Sequence, residues 1–120
     1  MFKYRIIVAG SRDFTDYQYL SDALKYYLGE LECEDICIIS GGARGADTLG
    51  ERFAKEHQLA YMVIPARWNE YGKSAGYKRN ILMAEQATHL IAFHKNGSKG
   101  TQHMINIAEK HNLNIRVCKL

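Results

Sequence analysis

Eight residues, SGGARGAD from Ser40 to Asp47, set three glycines, one arginine and one aspartate into a single turn. Glycine lets a backbone bend tightly and approach a ligand closely. An arginine between an alanine and a glycine, Ala43 and Gly45, has little to pack on and presents its guanidinium to anions. The turn follows the apolar run ICIIS and precedes residues at helical spacing. It therefore sits at the positive end of a helix, where unpaired amides attract anions. The chemistry this suits is the holding of a phosphate-bearing ligand. Gly41, Gly42, Arg44 and Gly45 are the candidate contacts, and Asp47 serves either as an acceptor for ribose hydroxyls or as the helix's first-turn carboxylate.

Three further stretches have the same character: Gly10–Phe14, Pro65–Asn80 and His94–Thr101. With Ser40–Asp47 they make up 37 residues and hold eight of the ten glycines, eight of the 16 Lys and Arg, and three of the 13 Asp and Glu. Their net charge is +5 against −2 for the rest of the chain, so the overall +3 understates a positive charge confined to these loops. Gly10, Ser11 and Arg12 are candidates in GSRDF, with Asp13 expected to pair with a neighbouring arginine. Trp68, Tyr71 and Tyr77 either stack a base, since an aromatic face serves any base, or pack as a lid on the sheet edge. Arg79 and Asn80 are expected to open a helix facing the same way. Gly97, Ser98, Gly100 and Thr101 complete the set. Arg79 and Asp47 are the candidates for catalysis, with no full catalytic constellation identified, and His94 and His103 are equally consistent with ordinary surface positions.

Apolar runs alternate with helical patterns and place these loops. YRIIVAG, DICIIS, AYMVIP, HLIAF and NIRVCKL read as strands. Between them, Leu20, Ala23, Leu24, Tyr27, Leu28 and Leu31 form one helical stripe, with Thr15 expected as its N-cap and Gln18 completing a capping box. Ala46, Leu49, Gly50, Phe53 and Ala54 form a second stripe, ILMAEQA marks a third helix, and QHMINIAEKHN a fourth. Strands that are apolar throughout fit a parallel sheet buried on both faces. The expected architecture is α/β: a three-layer, Rossmann-like domain over residues 1–120, with five mostly parallel strands in the order 3-2-1-4-5 and helices on both faces. In such sheets ligands bind beyond the carboxyl ends of the strands, where the strand order reverses. The four loops all belong to that edge.

Composition adds boundaries. The chain of 120 residues is long enough for a core without staples. No stretch approaches the roughly 18 apolar residues that span a bilayer, and the N-terminus lacks a secretory pattern; the expectation is a cytoplasmic protein with no membrane partner. Cys33, Cys37 and Cys118 show no pairing or metal-ligand spacing, and Cys37 and Cys118 fall in strands, where reduced thiols act as small hydrophobes. Nothing in the histidine spacing argues for a metal.

Four segments in order, VAGSRDF, ISGGARGAD, PARWNEYGKSAGYKRN and IAFHKNGSKGT, resemble the SLOG superfamily, which relates the DNA-processing protein DprA (SMF) to the LOG phosphoribohydrolases. Within it the chain is most similar to the small stand-alone YspA-like, YpsA-related proteins. The resemblance implies a Rossmann-like fold and a nucleotide or nucleotide-derived ligand at the same strand edge, held by a sensor or binding module. NAD and ADP-ribose derivatives belong to that ligand class. SGGARGAD is similar to a Ser-Gly-x-Ala-Arg-Gly-x-Asp run in DprA, which binds single-stranded DNA, so nucleic acid is a second implied partner. A homo-oligomer is left open, and the sequence does not decide it. LOG enzymes cleave a nucleotide's N-glycosidic bond with an arginine, at the place of Arg79, and a glutamate in PGGxGTxxE. Gly97, Gly100 and Thr101 match that motif, but Met104 stands at the glutamate position. Methionine can neither stabilise an oxocarbenium ion nor activate water, so a phosphoribohydrolase-like activity would need another carboxylate, from Asp47, Asp13 or Glu70.

Overall fold

The structure, a computed structural model, describes residues 2–120. Strand β1 (Tyr4–Gly10) leads through helix α1 (Tyr17–Leu28) to β2 (Ile36–Ser40), and α2 (Ala46–Glu56) leads to β3 (Ala60–Val63). A one-turn helix α3 (Trp68–Tyr71) and a 3₁₀ turn run into α4 (Ala75–Gln86), followed by β4 (His89–His94), α5 (Lys99–Lys110) and β5 (Asn114–Lys119). The strands form one sheet in the order β3-β2-β1-β4-β5, every pair parallel. This is the expected order, with all pairs parallel where a mostly parallel sheet was expected.

Alternation along β1 explains the two layers. Ile6 and Val8 point to one face, where Leu20 and Leu24 of α1 and Phe53 and Ala54 of α2 cover them. Ile7 and Ala9 point to the other, against Met83 and Ala84 of α4 and Met104 and Ile105 of α5. Fully burying a large apolar side chain contributes about 1.5–3 kcal/mol, and with both faces covered no polar alternation survives in β1, β2 or β4. The chain leaves β1 toward β2 and β3, then crosses back to place β4 on β1's free side. Strand order therefore reverses between β1 and β4, and the loops after these two strands part there.

Three local expectations are corrected. Asp16, not Thr15, caps α1: its Oδ1 accepts the Tyr19 N–H at 3.0 Å, so the capping carboxylate lies one residue later. Helix α4 begins at Ala75, so Arg79 and Asn80 lie in its second turn rather than at its start. Buried Asn80 interrupts the apolar stripe there and hides the first turn from a periodicity reading. Helix α5 begins at Lys99, which places Gly100 and Thr101 in its first turn. Cys37 and Cys118 are buried, Cys33 is exposed, and all three are free thiols.

Candidate functional site

A cleft of about 600 Å³ opens at the carboxyl edge over the β1–β4 junction. Its walls include Gly10, Ser11 and Arg12 after β1; Arg44 and Asp47 from the β2–α2 turn; Trp68, Arg79 and Asn80 from α3 and α4; and Gly97, Ser98, Gly100 and Thr101 at the start of α5. Twelve of the fifteen candidate ligand residues thus meet around one space. Gly41, Gly42 and Gly45 are not on its surface and act from behind it.

Gly45 joins the first two loops. Its φ of +84° lies in the left-handed region, and a Cβ there would strike the carbonyl oxygens of Ser11 and Arg12. The close approach lets Ala46 N–H donate to the Ser11 carbonyl at 3.2 Å, so the β1 loop caps α2 by its backbone. Gly41 separates two charges. A Cβ at Gly41 would stand 2.5 Å from Arg79 Nη1 and 2.7 Å from Asp47 Oδ2, so glycine is what lets guanidinium and carboxylate face each other across the turn. Ser40, fully buried, ties the turn down: its Oγ accepts the Gly42 N–H at 3.0 Å and donates to Glu51 at 2.6 Å.

Arg79 reaches from α4 to the β2–α2 turn, donating from Nη1 to the Gly41 carbonyl at 2.6 Å and from Nε to Asn80 Oδ1 at 3.0 Å. An arginine only donates, so the Asn80 oxygen must face it and the amide nitrogen must face away. That nitrogen lies 3.1 Å from His103 Nδ1 and 3.4 Å from the Gly100 carbonyl. His103 Nδ1 is therefore the acceptor, and the ring carries its proton on Nε2. Burial holds the His103 imidazole below its ordinary pKa, with Lys110 adding to the effect. A hydrogen-bonded line thus runs from the SGGARGAD turn through α4 to α5.

Asp47 is 5% exposed. Burial pushes its pKa up to about 6, opposed by the Arg79 charge and by hydrogen bonds from the Ala43 and Gly41 amides. Arg79 is lowered by its own burial and supported by Asp47. Above about pH 6 the Asp47 carboxylate faces the Arg79 guanidinium across the Gly41 turn, and below it Asp47 becomes a neutral acid.

At the other side Ser98 caps no N–H of α5 with its side chain; its hydroxyl meets Thr101 Oγ1 at 2.8 Å. The first-turn amides of α5 therefore face the cleft with the positive end of the helix. Trp68 and Tyr77 are 50% and 48% exposed at the rim, and the Arg12 guanidinium stands 5.8 Å from the Trp68 ring. Tyr71 belongs elsewhere: it lies under Lys78 and lines a neighbouring groove with Val63 and Leu82.

The carboxylates separate clearly. Glu70 pairs with Arg67 away from the cleft. Asp13 pairs with Lys95 at 2.6 Å, not with an arginine as the sequence suggested. Met104 lies at the cleft floor beside Met83, 1% exposed. Sequence reasoning did not single out Lys73, Lys95 or Asn96, which also line the cleft. Their position in glycine-containing basic loops was the available signal. Among the described residues no cluster of His, Cys, Asp and Glu has the arrangement of a metal site, and no helix is long and apolar enough to cross a membrane.

A sequence profile for YAcAr, described as the YspA, cpYpsA-related SLOG family, matches residues 4–71. Gene 61 protein of Mycobacterium phage D29 is 35% identical over 112 residues, covering 88% of this chain and 89% of that protein. Among solved structures, DNA processing protein A (DprA) from Streptococcus pneumoniae is similar with a TM-score of 0.75 at 18% identity. The similarity covers 97% of this chain and 50% of that one. DprA from Helicobacter pylori, described for its single-stranded DNA binding mode, has a TM-score of 0.73 at 17% identity, covering 97% and 65% of the two chains. At these identities the two structures share the fold, and this chain spans half to two thirds of their length.

Proposed function

The chain belongs to the YspA, cpYpsA-related SLOG family, and we propose that it binds a nucleotide or nucleotide-derived phosphate ligand in the β1–β4 cleft, as a sensor or binding module. One observation carries the reading: Arg12, Arg44, Lys73, Arg79 and Lys95 converge on a single crevice with the open N-terminus of α5. Anions are held there by charge and by free amides together. Trp68 and Tyr77 offer faces for a base, and Asp47 an acceptor for sugar hydroxyls. Holding the ligand rather than cutting it accords with Met104, whose thioether replaces the carboxylate that glycosidic cleavage requires.

Asp47 favours a second reading. A carboxyl that titrates near pH 6 beside a fixed arginine has the properties of a general acid at a ribosyl bond. One set of experiments separates the two. Calorimetric titration with nucleoside monophosphates, NAD and ADP-ribose should give binding for at least one ligand. Arg79→Met should weaken it about tenfold or more, equivalent to ~1.4 kcal/mol. Absence of binding at millimolar ligand rejects the cleft as a nucleotide site. Chromatography of the same mixtures should show no free base; release of base that Asp47→Ala abolishes would establish the enzyme instead.

A further inference from the structure

The cleft already holds an anion of its own. Asp13 stands in the loop after β1, and two loops grip its carboxylate at once. The Ser11 hydroxyl donates to Oδ1, and the Lys95 ammonium donates to Oδ2 at 2.6 Å. All three residues line the cleft. A hydroxyl and an ammonium converging on two oxygens of one group is the arrangement a phosphoryl group asks for.

Ser11 is buried, and Asp13 provides the acceptor for its hydroxyl. Lys95 first, and Ser11 second, hold the Asp13 carboxyl below its ordinary pKa, so it is charged throughout the neutral range. Yet the Lys95 and Asp13 side chains remain 56% and 63% exposed. An exposed pair adds little to stability because water screens it, and the Asp13 carboxylate loses little by turning out to water. The contact is well formed and easily given up.

We propose that Asp13 is a resident anion that fills the Ser11–Lys95 corner of the cleft, and that the ligand's own anionic group displaces it. The inference rests on the reading of the cleft as an anion-binding nucleotide site. Displacement hands the Ser11 hydroxyl and the Lys95 ammonium to the ligand and moves the Asp13 carboxylate to solvent. A small anion merely exchanges one set of oxygens for another and gains little. A ligand that also reaches Arg79, the α5 amides and the aromatic rim gains contacts Asp13 never made. Asp13 thus lowers the affinity of every ligand that enters this corner, and a bare inorganic anion, with no further contacts, is the one left too weak to bind.

The test uses the full chain, titrated calorimetrically at low salt with inorganic pyrophosphate and with AMP. Asp13→Asn and Asp13→Ala should each tighten pyrophosphate by about three- to tenfold, the scale of an exposed pair and one repelling charge, and AMP, which carries less charge for Asp13 to repel, by a somewhat smaller factor. Asp22→Asn, which removes an exposed charge on α1 remote from the cleft, should leave both affinities within about twofold. In a second measurement, ¹³C NMR should show the Asp13 carboxyl titrating below the ordinary range in the free protein and moving up when pyrophosphate saturates it. Unchanged affinities in both Asp13 variants, beside measurable wild-type binding, overturn the proposal and leave the nucleotide reading standing. Weakened binding overturns it as well, by making Asp13 a ligand acceptor. Failure of the wild type and both variants to bind either probe removes this proposal and the nucleotide reading together.

Discussion

Asp47 occupies the first turn of α2, where a carboxylate ordinarily balances the positive end of a helix. Here it does more, because Gly41 leaves room for Arg79 to face it, and burial raises it to about 6. The sign of its effect on stability follows. The folded state holds the proton more tightly than the unfolded chain, so this group's contribution is full below its ordinary value of 3.8 and is lost as pH rises through about 6. Denaturant unfolding measured from pH 4 to 7 should therefore show a slope that Asp47→Asn removes. In Arg79→Met the carboxyl midpoint, followed by ¹³C NMR, should move above 6, because the guanidinium is the charge opposing burial. The residue types were legible in SGGARGAD and KRN. Their partnership was not, since Arg79 and Gly41 are 38 positions apart.

The β2–α2 turn works as an element because it is seated on the loop after β1. Gly45 makes that seat, with a left-handed φ and two carbonyl oxygens where a side chain would begin. Gly45→Ala is expected to cost about 1–3 kcal/mol in chemical denaturation and to weaken nucleotide binding as well, since the two loops form adjacent walls of the cleft. Gly72→Ala has the same backbone strain with no neighbour within 4 Å; it should lose stability with affinity retained. A loss of affinity in both variants would mean that strain alone, not the loop seat, is responsible. At this scale the strands were read from apolar runs with little error, whereas α4, expected to open at Arg79, begins four residues earlier at Ala75. Its first turns carry the polar residues of the site, and Asn80, turned inward to bind Arg79 and His103, breaks the pattern that marks a helix in a sequence.

Across the whole molecule, a chain of charge +3 gathers its cations at one end of the sheet and leaves the remainder slightly acidic. This distribution suits a small multiply charged ligand, but Arg67, Lys73 and Lys78 beside Trp68, Tyr71 and Tyr77 also resemble a surface for a single strand. Salt separates the two. Single-strand binding falls with a slope of about −0.7 per phosphate neutralised on logarithmic axes. We expect an oligothymidylate of about twenty nucleotides to bind no tighter than mononucleotides in calorimetry between 50 and 300 mM salt, values at which screening already acts within ~10 Å. Tighter binding with a steep slope would assign the rim to nucleic acid.

The sequence by itself determined the α/β architecture, because runs apolar on both faces leave few alternatives to a covered parallel sheet and right-handed crossovers put helices on both sides of it; the strand order was an expectation that the structure bears out. It also determined which loops meet at the carboxyl edge, since that follows from direction and order alone. Only the tertiary structure decided which side chains meet: Asp13 with Lys95, Asp47 facing Arg79, and the Asn80 amide on His103. Those pairings depend on distances between atoms of separate loops, and no local pattern encodes them. SGGARGAD reads as a place for an anion. The fold set Asp47 opposite Arg79 beside that turn and Asp13 against Lys95 across the cleft.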